Sequence, residues 1–95
     1  MECAHVSFSR HAFERMFARG IGPDQVRQVI REGEAVESYQ DDRPYPSFLL
    51  VGRSGEVWLH VVVAYDATDA HCMVATAYLP DPRPWDEAFR SRREP

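Results

Sequence analysis

The sequence predicts an α+β domain, with an N-terminal helical hairpin packed on one face of a four-stranded twisted antiparallel sheet, in the order α-α-β-β-β-β. Three observations predict it. Apolar residues recur at helical spacing up to Glu32 and then give way to short alternating or continuous apolar runs. The connections between these runs are short. Helices and strands are segregated along the chain, which favours an antiparallel sheet with its helices on one side. Ninety-five residues leave room for one core, so residues 1–95 are expected to form a single domain, with a short frayed tail.

Met1 to Phe8 reads as a short extended entry. Ser9 is a predicted N-cap for a helix over Arg10–Arg19, and Gly20 closes it. Phe13, Met16, Phe17 and Gly20 form its apolar stripe, bordered by a polar row of His11, Arg15 and Arg19 at i, i+4 spacing. Pro23 and Asp24 open a second helix over residues 23–32, ended by Gly33 and buried through Val26, Val29 and Ile30. Strands follow over Ala35–Gln40, Ser47–Arg53, Glu56–Tyr65 and His71–Leu79, with a tight turn at Ser54-Gly55. The third contains the longest apolar run, Trp58–Tyr65, and at eight residues that run has strand length rather than the ~20 residues of a membrane span. Pro80 to Pro84 stops regular structure, and Trp85–Arg90 is expected to make one helical turn.

The formal charge of −4 argues against gripping nucleic acid by bulk electrostatics. The charge is unevenly spread: residues 1–31 carry five arginines against three acids, and residues 32–75 carry eight acids against two arginines. All eleven basic residues are arginine. Residues 1–20 hold no apolar leader core, so a cytoplasmic location is expected. Cys3 and Cys72 make no spaced framework and read as free thiols. The His and Cys spacing fits no structural zinc pattern, and no Gly-rich phosphate loop is present, so neither metal nor cofactor is expected.

Two groups of residues carry candidate chemistry. The His11, Arg15, Arg19 row is either a solvated helix edge or a cationic row beside a general acid/base, because imidazole titrates near neutrality and guanidinium stabilises phosphate charge. His60, the ionisable residue inside the apolar run, is either a hydrogen-bonded core histidine or an acid/base. Thr76 and Tyr78 share one face of the next strand and would cluster with His60 if the register puts them on its face.

These residues carry a resemblance. Ser9-x-His11-x-x-x-Arg15-x-x-x-Arg19-Gly20-Ile21, Asp41-Asp42-Arg43-Pro44-Tyr45-Pro46-Ser47, Leu59-His60-Val61-Val62, and Thr76-Ala77-Tyr78-x-Pro80-Asp81 with Trp85 resemble the domain of unknown function 4258 family, from about Ser9 to Phe89. Its members look like small toxins of bacterial toxin–antitoxin pairs, similar to the RelE and MqsR ribonuclease folds. The resemblance implies a metal-independent endoribonuclease, with RNA as substrate and a cognate antitoxin as protein partner. By matching position it assigns acid/base roles to His60 and His11, phosphate binding to Arg15, orientation or proton donation to Tyr78, and substrate contacts to Arg19 and Thr76. The competing expectation is a non-catalytic module that binds a protein partner through the open sheet face, a surface that would also favour a homodimer. Mutual proximity of His11, His60 and Tyr78 separates the two.

Overall fold

The computed structural model describes residues 1–80. In chain order it contains β1 (His5–Phe8), α1 (Arg10–Ala18), α2 (Pro23–Glu32), β2 (Glu34–Tyr39), β3 (Ser47–Ser54), β4 (Val57–Asp66) and β5 (His71–Tyr78). Among the described residues the sheet therefore has five strands, in the order β1-β5-β4-β3-β2. Its pairs are antiparallel except β1 with β5, which is parallel. This corrects the expected four-stranded antiparallel sheet and its order. The N-terminal entry is itself a strand, and both helices lie between it and the rest of the sheet. The helical crossover between β1 and β2 lets the first strand return to the far edge and run parallel to the last.

Local signals set the helices. The Ser9 side chain accepts a hydrogen bond from the Ala12 N–H at 3.0 Å. At the other end of α1, Gly20 adopts φ 71° and Ile21 N–H donates to Met16 O at 2.9 Å, the closing bond of a left-handed C-terminal cap. Pro23 begins α2, where its missing N–H costs nothing, and the Gln25 side chain accepts from Gly22 N–H at 2.9 Å. The two-residue turn Gly55-Glu56 joins β3 to β4, with Gly55 at φ 63°.

One core lies between the helices and one sheet face. Ala12 and Met16 of α1 and Val26, Val29 and Ile30 of α2 pack with Leu50, Leu59, Val61, Val63, Val74 and Ala77. The buried stripe of α1 is thus Ala12 and Met16, whereas Phe13 is 45% exposed and Phe17 is 87% exposed. Helical spacing identifies a stripe of apolar residues, but packing selects which side is covered. Alanine at position 12 lets the helix approach β5 closely.

The cysteines also depart from expectation, since Cys3 and Cys72 form a disulfide with Cα atoms 5.8 Å apart. Cys72 is the register partner of Val6, and Cys3 stands just ahead of β1, so the bond ties the edge strand to its neighbour.

Candidate functional site: the second sheet face

Strand alternation puts His60 on the sheet face away from the helices, because Leu59 and Val61 point into the helical core. Tyr78 is its direct partner across the β4–β5 ladder, and Thr76 pairs with Val62 on the same face. A bulge at Ala75 maintains this: Val62 pairs with Thr76 but Val63 pairs with Val74, so Val74 and Ala77 both reach the core despite their odd spacing. His60 Nδ1 lies 3.4 Å from the Tyr78 hydroxyl, with the rings edge-on at 5.4 Å between centroids. His60 is completely buried, and its β3 neighbours Leu49 and Val51 on that face are buried too. The centre of this face is therefore closed rather than bare.

His11 and Arg15 stand elsewhere. Both are exposed residues of α1, a helix belonging to the layer on the opposite face. Arg19 links the two regions. Strand β1 pairs with His71–Val74, so among the described residues the edge of β5 beyond it has no neighbouring strand. There Arg19 donates to Ala77 O at 2.9 Å and to Thr76 Oγ1 at 3.3 Å, capping that edge with its guanidinium. The six predicted site residues thus fall into three places: His60 with Tyr78 and Thr76 on one face, His11 and Arg15 on the helical surface, and Arg19 bridging the edge.

Comparison with known proteins places the chain in a family. The sequence model described as domain of unknown function 4258 matches residues 8–79. The chain belongs to that family. No curated protein and no solved structure matches it. The match to this DUF4258 domain runs from the last residue of β1 to the end of β5, and so spans both sheet faces and the helical layer.

Two other features of the DUF4258 chain lie outside the predicted set. Ser7 Oγ and His71 Nε2 are 2.7 Å apart across the β1–β5 pair, with His5 edge-on to His71. An aromatic row also crosses the helical layer. Phe8 and Phe13 have centroids 4.9 Å apart, Arg27 sits 5.1 Å over Phe8, and Phe17 stands one turn beyond Phe13. The first depends on a parallel pairing invisible in local sequence. The second had a signal, since Phe13 and Phe17 share a helix face with arginines near them. Among the described residues, no group of three His, Cys, Asp or Glu side chains is placed to hold a metal ion, and no helix is long and apolar enough to cross a membrane.

Proposed function

We propose that this chain is a protein-interaction module whose contact surface is the helical layer, centred on Phe13 and Phe17 of α1. The observation that carries this reading is Phe17, a large aromatic side chain 87% exposed on a well-capped helix. Such a residue serves no folding purpose, and burying it against a partner contributes about 1.5–3 kcal/mol. The helical layer also carries exposed arginines, Arg10 and Arg15 on α1 and Arg27 and Arg31 on α2, with Arg27 over the Phe8 ring that packs on Phe13. The partner that fits is a protein segment with an apolar anchor flanked by carboxylates, in which arginine and aromatic residues act as hot spots. The test compares partners captured by wild-type and Phe17→Ser chains, followed by titration of the recovered protein. A partner with net negative charge that is lost with Phe17→Ser supports the reading. One that binds both chains equally refutes it.

A second reading is favoured by the His60–Tyr78 pair. In it the chain is a metal-independent endoribonuclease toxin, with His60 as acid/base, Tyr78 as proton donor, Thr76 as a substrate contact and a cognate antitoxin as inhibitor. His11 and Arg15 lie on the other layer, so in this reading they contact RNA outside the cleavage site. Incubating purified chain with RNA in the presence of a chelator tests it. Cleavage that disappears in folded Tyr78→Phe favours the nuclease. No cleavage, or cleavage indifferent to both Tyr78→Phe and His60→Gln, refutes it.

A further inference from the structure

We infer that the Cys3–Cys72 disulfide is a reversible bond, opened from one side by a small anionic thiol, and that its opening frees the edge strand β1. Three observations lead there. The first is access. An open cavity of about 780 Å³ lies between the N-terminal segment and α2, and Cys3, Val6, Ile30 and Tyr65 line it. Cys3 is half-buried in this wall, whereas Cys72 is fully buried in the core and is not part of the lining. A thiolate entering the cavity therefore approaches the disulfide from the side of Cys3 rather than Cys72.

The second is charge. Arg27 and Arg31, one turn apart on α2, both line the cavity, with Glu2 as the opposing acid. Their own ion pairs are loose and exposed: Arg27 to Asp24 at 3.5 Å and Arg31 to Glu32 at 3.7 Å. Two guanidiniums on the wall of the same cavity favour both the thiolate form of a thiol that enters it and any carboxylates it carries. The chemical class that fits is a short peptide thiol bearing carboxylates.

The third is consequence. β1 is a four-residue parallel edge strand. Beyond its ladder, it is attached by the disulfide, by Ala4 N–H donating to Ala70 O at 2.7 Å, by the Ser7–His71 hydrogen bond, and by Val6 and Phe8 packing on the core, with Phe8 against Phe13 and Arg27. Removing the covalent tie leaves a segment of the kind that opens locally without global unfolding.

The step balances as simple exchange. The incoming thiolate attacks Cys3 Sγ, a new sulfur–sulfur bond forms to Cys3, and the Cys3–Cys72 bond breaks. Cys72 leaves as thiolate and takes a proton from water. A second thiolate can then release Cys3, with the external thiol oxidised and the protein reduced.

The experiment uses the intact oxidised chain at low salt. Glutathione, 2-mercaptoethanol and cysteamine are supplied at equal thiolate concentration, and products are trapped with acid and mapped by mass spectrometry. The expected result is a mixed disulfide on Cys3. Opening by glutathione should be about three- to tenfold faster than by cysteamine, an advantage lost in R27Q/R31Q or at about 1 M salt. Hydrogen exchange at Val6 to Phe8 should accelerate on opening while the β3–β4 ladder stays protected. Adducts on Cys72, rates set by thiolate concentration alone, a rate independent of thiol, or a bond that resists glutathione would each overturn the inference.

Discussion

Replacing Gly33 by alanine tests how the helical layer is seated on the sheet. Gly33 follows α2 with φ −78° and ψ −176°, a conformation that alanine adopts freely, so any cost arises from packing. A Cβ there would lie 2.5 Å from Val29 O and 2.6 Å from Val51 O. Both obstacles are backbone atoms, one in α2 and one in β3, and neither can turn aside like a side chain. Overpacking of this kind costs about 3 kcal/mol, and the lower entropy of the unfolded alanine chain offsets about 0.5–1 kcal/mol. The net loss is about 2–2.5 kcal/mol, or roughly 8–20 °C in Tm for a domain of this size. Gly52→Ala is the internal comparison. Its Cβ would lie 3.2 Å from Gly33 Cα and 3.2 Å from Val29 Cγ1, so slight adjustment suffices and the loss should stay near 1 kcal/mol. Urea unfolding of the three chains provides the measurement. If Gly33→Ala loses less than Gly52→Ala, or less than about 1 kcal/mol, α2 is not seated on β3 as described.

Further outcomes follow from the same geometry. Phe17→Ser should leave urea stability within about 0.5 kcal/mol while weakening partner binding at least about tenfold, since the ring is almost wholly in solvent. Arg19→Ala should cost about 1 kcal/mol and speed hydrogen exchange at Thr76 to Tyr78, because the β5 edge loses its cap. Reduction of Cys3–Cys72 should lower stability by about 4 kcal/mol, the chain-entropy value for a sequence separation of 69 residues, as read from paired urea curves.

Much of this architecture is legible in sequence because local chemistry fixes it. Ser9, Gly20, Pro23 and Gly33 bracket the helices within two residues of their ends. The runs at 47–53, 56–65 and 71–79 become β3, β4 and β5. What escapes is whatever depends on distant partners. The segment His5–Phe8 has only two apolar side chains and becomes a strand because β5, beginning at His71, offers an edge. Cys3 and Cys72 show no framework spacing and meet only once that parallel pairing forms. Phe13 and Phe17 form a helical stripe like any core stripe, and only the closer seat allowed by Ala12 turns them outward.

The candidate site divides along the same line. That His60 and Tyr78 are neighbours depends on β4–β5 register, which the Ala75 bulge adjusts and composition cannot reveal. That His11 belongs to a different layer from them depends on which face receives the helices. A sheet and the layer packed on it are centred about 10 Å apart, and His60 points away from that layer. An acid and a base serving one phosphate must both come within about 3 Å of its reacting oxygens. Of the polar row on α1, Arg19 meets the β5 edge at Thr76 and Ala77, and Arg15 and His11 stand one and two turns farther back along the helix. The exposed phenylalanines of the helical layer and the His60–Tyr78 pair thus belong to different layers that meet at the Arg19 edge, and a function assigned to one must be tested without relying on the other.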